Sequence, residues 1–334
     1  MNEPELTGRD PSRRAALRLG SCAAIAAATG RAAWCDPPAP RAAIAITLDL
    51  EMSRQYPRRD EMHWDFEKGN LDTDTKRYAV EAARRVKLAG GVIHFFVVGR
   101  VFEQEDVSWL QTIASEGHPI GNHTYDHVNV LAKTPDQLQF RFQRAPWLIE
   151  GKTPAQVIEE NIRLCTRAMK HRMGIEPAGF RTPGGFQEGL RDRPDVRKLI
   201  AAQGFSWVSS LYPAHAMGPR CTRSVREAIL ESQARAQPFL YSEGIREVPM
   251  SPVSDVTAFR TNRWNLNEFV DMTEACVRYA IERQACFDFL AHPSCLVVED
   301  PEFQTIERIC EVTRAAGDKA EFCDLASLAR RARS

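Results

Sequence analysis

Segment 121–127, with the sequence GNHTYDH, contains His123 and His127 at a spacing of four residues. On a helical turn, this spacing places both imidazole rings on the same side. Neutral imidazole is the commonest nitrogen ligand of zinc, and a catalytic zinc site needs three protein ligands and an open position for water. Surface or helix-capping histidines can show the same spacing, so the motif predicts a metal site only in combination with other polar segments.

Three further polar segments each fall at the end of a predicted strand: Asp49 with Glu51, Arg181-Thr182-Pro183-Gly184-Gly185, and Leu290-Ala291-His292-Pro293. Residues two apart on a strand point the same way, so Asp49 and Glu51 converge on one site while Leu50 faces elsewhere. A surface acidic turn is the alternative interpretation of this pair. Together with the histidine motif, the strand ends predict one functional site.

The elements that would position these residues alternate between short apolar strands and amphipathic helices. Residues 221–237 show no defined element. Alternation at these lengths indicates a parallel sheet, open or closed, and functional residues at the ends of short strands favour a barrel-like α/β fold. The predicted strands are 43–49, 92–99, 119–121, 205–208, 245–249, 286–290 and 321–323, and the predicted helices are 74–87, 106–116, 154–173, 195–203, 267–284 and 301–316.

Two segments interrupt this alternation, at about 52–73 and at 128–152, and we interpret both as insertions. Each combines aromatic with charged residues, including Trp64 in the first and Trp147 in the second. Long loops in compact domains are usually lids or binding loops, or else disordered. Aromatic faces beside polar groups suit sugar rings, so we expect both tryptophans on the rim of the site. Burial of the Trp64 loop against the sheet is the alternative.

The overall charge gives little support to nucleic-acid binding. Among 334 residues, Lys and Arg number 44 and Asp and Glu also number 44, and no basic stripe stands out. We therefore expect a small-molecule or carbohydrate substrate and no nucleic-acid partner.

The N-terminal residues 1–35 are interpreted as an export signal and linker. Segment 12–18, SRRAALR, resembles a twin-arginine signal, and an Ala-rich, mildly apolar stretch with small residues follows it. A disordered tail rich in Ala and Arg is the alternative. The sequence thus predicts an exported, periplasmic protein with a single domain over 42–330 and no membrane span after signal removal.

Four segments, in this order along the chain, resemble the motifs of the polysaccharide deacetylase family (NodB homology, carbohydrate esterase family 4). Thr47-Leu48-Asp49 is similar to its first motif, the segment 123–127 to its His-Ser/Thr-x-x-His motif, the run starting at Arg181 to its third, and Leu290-Ala291-His292 to its Leu-x-His motif. The resemblance covers nearly all of the chain after residue 42. It implies a distorted (β/α)7-type barrel and the removal of N-acetyl groups from an amino-sugar polymer or oligosaccharide.

The resemblance also implies a role for each matching residue. Asp49 would be the general base, His123 and His127 would bind a divalent metal such as Zn²⁺, Arg181 would orient Asp49, and His292 would be the general acid. The chemistry agrees with these roles, because a bound cation stabilises hydroxide. A carboxylate can accept the proton from water, and a cationic histidine can protonate the departing amine.

The sequence departs from the family pattern at three places. Leu50 replaces the second Asp, the usual third metal ligand, and we expect Glu51 to take over that role. Gly184 replaces an aromatic residue, which widens the cleft and leaves only a backbone N–H to stabilise the oxyanion. The fourth motif lacks its supporting acid, for which Glu247 and Asp255 are the candidates.

These departures leave two alternatives to deacetylation of a sugar. One is a metal-dependent hydrolase of a small linear or cyclic amide, similar to allantoinases and cyclic imidases, to which a first motif of the Asp-x-acid type is suited. The other is a carbohydrate-binding protein with a degenerate site and no catalytic activity.

Overall fold

The strand β1 (Ala42–Leu50) is a run of apolar residues, and all nine of its residues are buried. A strand buried on both faces is typical of a parallel sheet covered by helices. The computed structural model describes residues 41–52 and 68–333, in which β1 lies near one end of a mixed but mostly parallel sheet. The predicted signal segment and Trp64 lie outside the described residues, so the export signal and the domain boundaries stay predictions.

The sheet has nine strands within the described residues and curls into a half-barrel. Along it the strands follow the order β6-β7-β5-β4-β3-β2-β1-β8, and β9 also pairs with β1. All the pairs are parallel except the one between β6 and β7. The strands after β1 are β2 (Ile93–Val97), β3 (Ile120–Asn122), β4 (Phe180–Phe186), β5 (Trp207–Leu211), β6 (Phe239–Leu240), β7 (Arg246–Glu247), β8 (Cys286–Ala291) and β9 (Ala320–Phe322).

Helices connect most of the strands, and several have strong sequence signals at their ends. Thr153 and Gln156 form a capping box at the start of α4, which ends at Gly174 with a φ of 68°. None of the helices in the described residues is both long and apolar enough to cross a membrane. The helices are α1 (Thr73–Leu88), α2 (Ser108–Ser115), α3 (Phe140–Arg144), α4 (Pro154–Met173), α5 (Pro194–Ala202), α6 (Arg223–Arg235), α7 (Leu266–Arg283), α8 (Pro293–Glu299), α9 (Gln304–Ala315) and α10 (Leu325–Ala329).

The alternation of side chains along β1 separates the core from the functional site. Ile44, Ile46, Leu48 and Leu50 belong to the large apolar cluster that includes residues of α1, α7 and α9. Ala43 and Ala45 belong to a smaller cluster on the other face, where their short side chains leave room inside the curled sheet. The period of two continues that inner face to residues 47, 49 and 51. The predicted α/β class with a barrel-like parallel sheet is confirmed.

Outside segment 128–152, the described residues contain three helices that the sequence did not predict: α6, α8 and α10. Helix α6 lies in the stretch 221–237, where the apolar periodicity is weak and only Ile229 among its apolar residues is buried. Its start is marked instead by Thr222, whose side chain accepts a hydrogen bond from the Val225 amide. The short helix α8 begins at Pro293, directly after His292. Segment 128–152, predicted as an insertion, contains only short helical elements.

Candidate metal centre and active site

The candidate site lies where the parallel strands end, because the carboxyl ends of such strands share one edge of the sheet. Asp49 and Glu51 come from the end of β1, and the two motif histidines follow β3. Arg181 lies at the start of β4 and His292 directly follows β8. The four polar segments predicted to meet are therefore brought together.

Glu51, His123 and His127 form a cluster of three potential metal ligands, with one ligand atom of each lying within 4.8 Å of the others. Glu51 Oε2 lies 2.5 Å from His127 Nε2 and 3.4 Å from His123 Nε2. On the far side of its ring, His123 Nδ1 lies 3.0 Å from the Arg181 carbonyl oxygen. Donation of the Nδ1 proton to that carbonyl leaves the Nε2 lone pair facing the cluster. A metal-binding histidine usually donates its other ring N–H to such an acceptor.

The predicted helical turn between the two histidines is wrong, because residues 123–127 form a loop. Thr124 and His127 have positive φ angles of 59° and 60°, which a right-handed helix does not allow. Side-chain hydrogen bonds hold this conformation: Asn122 Oδ1 accepts from the Thr124 amide, and Asn161 Oδ1 accepts from the Asp126 amide. The imidazoles converge through this loop, with ring centroids 5.0 Å apart.

The charges of this cluster suit a divalent cation. Burial opposes ionisation of Glu51, but its contacts with His127, Lys68 and His123 outweigh burial and hold the pKa of this carboxyl well below its usual value. Burial lowers the pKa of His127, which favours a neutral ring. An ionised carboxylate with neutral imidazoles is the protonation state that metal binding requires. The three residues therefore fit zinc, whose usual ligands include imidazole nitrogen and carboxylate oxygen.

Asp49 is held by Arg181 rather than by the metal cluster. Arg181 Nη1 donates to Asp49 Oδ1 at 3.0 Å, and the two side chains are 0% and 5% exposed. The other carboxylate oxygen of Asp49 lies 3.8 Å from His123 Nε2. One oxygen of Asp49 is thus engaged by a buried cation and the other faces the candidate metal centre.

His292 contacts Asp255, one of the two candidates for the supporting acid. Its Nδ1 lies 2.8 Å from Asp255 Oδ1, and its backbone N–H donates to Asp255 Oδ2 at 2.7 Å. Burial alone would lower the pKa of His292, but Asp255, with smaller contributions from Glu51 and Asp49, raises it to about 9. Near pH 7 the ring is therefore cationic, and its Nε2 lies on the side of the metal cluster, 3.8 Å from Glu51 Oε1.

Glu247, the other candidate for a supporting acid, makes structural contacts. Its carboxylate accepts hydrogen bonds from the backbone N–H groups of Ser210 and Leu211, and from the hydroxyls of Ser210 and Tyr241. It is fully buried in β7, and its hydrogen bonds with Ser210 and Leu211 connect that strand with β5. Asp255, not Glu247, is the acid that contacts His292.

The Glu-His-His cluster, Asp49 and His292 line a cavity of about 390 Å³. Gly184 lies in its wall with a φ of 77° and open space where a side chain would begin, as its position in the third motif predicted. Lys68 is also in the wall, 2% exposed, and its Nζ donates to Glu51 Oε1 at 2.7 Å. Lys68 cannot be recognised from the sequence as a site residue, because it lies in a stretch without periodicity and only its cationic charge distinguishes it.

Trp147 lies outside the cavity around the metal cluster. Its side chain is 68% exposed, so it is not in the core, but it lines a separate groove of about 870 Å³ together with Phe142 and Ile149. It is not among the residues that line the cavity around the metal cluster. Trp147 is exposed rather than buried in the core, as expected, but the structure places it in this separate groove and not among the residues that line the cavity, where the rim position was expected.

The structure thus combines an α/β half-barrel with a Glu-His-His cluster and a paired Asp and Arg. The sequence model of the polysaccharide deacetylase family matches residues 66–204, which include the histidine motif and Arg181 but not Asp49 or His292. The resemblance to this family is thus confirmed over that segment, which contains two of the four motifs. No curated protein sequence matches the chain at a significant level.

Solved structures share this fold at low sequence identity. A Mycobacterium smegmatis protein assigned as a polysaccharide deacetylase is 16% identical, with a TM-score of 0.60 over 89% of this chain and 92% of that one. A protein from Pseudomonas aeruginosa PAO1 with the same assignment is 14% identical, with a TM-score of 0.57 over 86% and 89%. The Puue allantoinase is 12% identical, with a TM-score of 0.56 over 86% and 89%. At these identities the similarity shows the fold.

Proposed function

We propose that this protein is a metal-dependent hydrolase that removes N-acetyl groups from an amino-sugar polymer or oligosaccharide. The observation that carries the proposal is the convergence of Glu51, His123 and His127 beside Asp49 and opposite His292. A cluster of potential metal ligands, a buried carboxylate and a histidine paired with an acid therefore line one cavity, which supports these roles. A bound divalent cation, for which we propose Zn²⁺, would act there as a Lewis acid that lowers the pKa of water to near neutral pH.

The residues of the chain have separate roles in this proposal. Asp49, which accepts a hydrogen bond from Arg181, takes the proton of the attacking water as general base. His292, held cationic by Asp255, donates a proton to the nitrogen of the departing amine. The backbone N–H of Gly184 contributes to stabilising the negative charge that develops on the acetamide oxygen.

A second candidate function is hydrolysis of a small linear or cyclic amide. The observation that favours it is the size of the cavity, since about 390 Å³ lies near the lower end of the range for ligand pockets. The fold similarity to an allantoinase is compatible with either substrate. The two functions require the same cation, base and acid, so only the substrate separates them.

A substrate panel tests the proposal directly. The purified protein, loaded with zinc, is assayed for acetate release from N-acetylated chitooligosaccharides and, in parallel, for ring or chain hydrolysis of ureides and cyclic imides. Acetate release supports deacetylation, and turnover of ureides or imides alone supports the second candidate. A protein that binds oligosaccharides but hydrolyses none of these compounds is a carbohydrate-binding protein.

We predict that Trp147 contributes to binding of long substrates only. Replacement of Trp147 by alanine should weaken binding of a long polymer by about 1–3 kcal/mol, by analogy with the cost of a lost stacking contact between an aromatic side chain and a nucleic-acid base. Activity on a short oligosaccharide should stay unchanged, because Trp147 does not line the cavity. Leu148→Ala is the matched control, since Leu148 is also exposed and does not line the groove. Equal polymer binding by the two variants would refute the prediction.

We also propose that the protein is exported by the twin-arginine route, on the basis of Arg13 and Arg14 in the signal-like segment. The Arg13→Lys, Arg14→Lys double variant should accumulate uncleaved in the cytoplasm, because this export route recognises the arginine pair of the signal. Cell fractionation and the mass of the N-terminal peptide measure this. Normal cleavage and export of the double variant would rule the route out.

A further inference from the structure

Asp288 is a buried acid that the proposed reaction does not use. It lies in β8, its side chain is inaccessible to solvent, and in the strand register it pairs with Ala45 of β1. Thr47 and Asp49 lie two and four residues further along the same face of β1. Asp288 is therefore deeper in the sheet than Asp49, and it is not among the residues lining the cavity. Its carboxyl has no direct contact with a substrate in that cavity.

Arg181 connects Asp288 to Asp49. Nη1 donates to Asp49 Oδ1 at 3.0 Å and to Thr47 Oγ1 at 2.7 Å, while Nη2 donates to Asp288 Oδ2. The guanidinium carbon lies 4.4 Å from the centroid of the Phe96 ring, which restricts movement of the guanidinium on that side. One guanidinium group thus lies between two carboxylates at different depths.

Asp288 is the strongest anchor on the Nη2 side of this guanidinium. Ser209 accepts from Nε, but it is neutral and its Oγ is 3.3 Å away, beyond the usual length of such a bond. Thr47 accepts from the same nitrogen that serves Asp49, so it cannot hold the other side of the group. Among the described residues, Asp288 is the one that accepts a hydrogen bond from Nη2. Loss of the Asp288 contact would therefore free the guanidinium to turn away from Asp49.

We propose that Asp288 is a positioning residue that holds Arg181 in the orientation in which it contacts Asp49. This inference rests on the proposed function, because it assigns the orientation of the base in that reaction to an acid outside the cavity. Asp288 acts through Arg181 and not on the substrate. An acceptor atom at the position of Oδ2 is the property that matters.

Crystal structures of two variants of similar shape test the placement without any substrate. Asp288→Asn keeps an oxygen acceptor for Nη2, whereas Asp288→Leu fills similar space and removes it. The distance between Arg181 Nη1 and Asp49 Oδ1 should remain about 3.0 Å in the Asn variant and should increase in the Leu variant. An unchanged contact in the Leu variant overturns the proposal. If the Leu variant does not fold, Asp288→Ser takes its place, since its shorter hydroxyl does not reach Nη2.

Kinetics of the zinc-loaded variants test the consequence. Asp288→Leu should lower kcat by about 10- to 100-fold, because a misplacement of about 1 Å costs up to about 100-fold. KM and zinc affinity should stay within about twofold of wild type, and Asp288→Asn should recover most of kcat. In an Arg181→Ala background, Asp288→Leu should have no further effect on kcat, since the two residues act as one unit.

Two kinetic outcomes would overturn the proposal. Additive losses in the double variant would mean that Asp288 does not act through Arg181, and equal losses in the Asn and Leu variants would mean that the acceptor atom does not decide placement. Failure of the proposed function can be distinguished from failure of this inference. In that case the wild-type protein would be inactive on every acetamide, while the crystal structures would still test the placement of Arg181.

Discussion

Replacement of Glu51 by alanine is expected to abolish tight zinc binding and, with it, most activity. Glu51 provides the only carboxylate of the Glu-His-His cluster in the described part of the chain, and Leu50 next to it has no donor atom. Even loss of an outer partner of a metal ligand lowers metal affinity about 10- to 100-fold, so loss of a ligand should cost at least about 100-fold. Zinc in excess should restore part of the activity.

Replacement of Asp49 by asparagine should fail in a different way. Asp49 contacts Arg181 and lies outside the ligand cluster, so zinc content should stay near that of wild type. Loss of a general base lowers kcat by about 100- to 10,000-fold, and added zinc should not restore it. Chelator competition measures zinc affinity, and acetate release measures activity. Reversed results would assign Asp49 as the ligand and make Glu51 the first candidate for the base.

The second large effect is expected at His292. Its replacement by alanine should retain zinc and lower kcat by about 100- to 10,000-fold, because the departing amine loses its proton donor. Loss of zinc in this variant would instead make His292 a metal ligand. Zinc content and kcat, measured on the same preparation, separate the two outcomes.

Asp255 should set the pH at which that proton donor is lost. The cationic form of His292 is present below its pKa and disappears as the pH rises through it, which produces the alkaline limb of the pH–rate profile. Asp255 raises that pKa, so Asp255→Asn should move the alkaline limb to lower pH, by roughly 1–3 units for a lost charge at contact distance. Asp136→Asn, at an exposed acid of the separate groove, is the control and should leave the limb in place. An unmoved limb in Asp255→Asn would refute the assignment.

The sequence contained enough information to predict the sheet and the convergence of its polar strand ends. Asp49 at the end of β1 and His292 directly after β8 need only a parallel arrangement to reach one edge, whereas Arg181 lies at the start of β4 and not after a strand, as had been predicted. The spacing of two between Asp49 and Glu51 correctly predicted that both side chains line the same cavity. These predictions depend on local periodicity, which a single sequence displays.

Other parts of the site depend on tertiary contacts that periodicity does not reveal. The loop between the histidines follows positive φ angles at Thr124 and His127, held by Asn122 and Asn161, and the spacing alone favoured a helical turn. Neither Asp255 nor Glu247 could be preferred as the acid that supports His292, because both lie in segments whose placement depends on the fold. Asp288 had a signal that was overlooked: it is the one charged residue in the apolar strand 286–291.

The central claim is that one bound cation at Glu51, His123 and His127 enables hydrolysis of an acetamide. The most direct test removes metal from the purified protein and titrates zinc back while zinc binding and acetate release from N-acetylated chitooligosaccharides are followed together. We predict no activity in the stripped protein, and activity that rises in proportion to occupancy and saturates at one zinc per chain. Full activity without metal, or stoichiometric zinc binding that persists in a His123→Ala, His127→Ala variant, would contradict the claim.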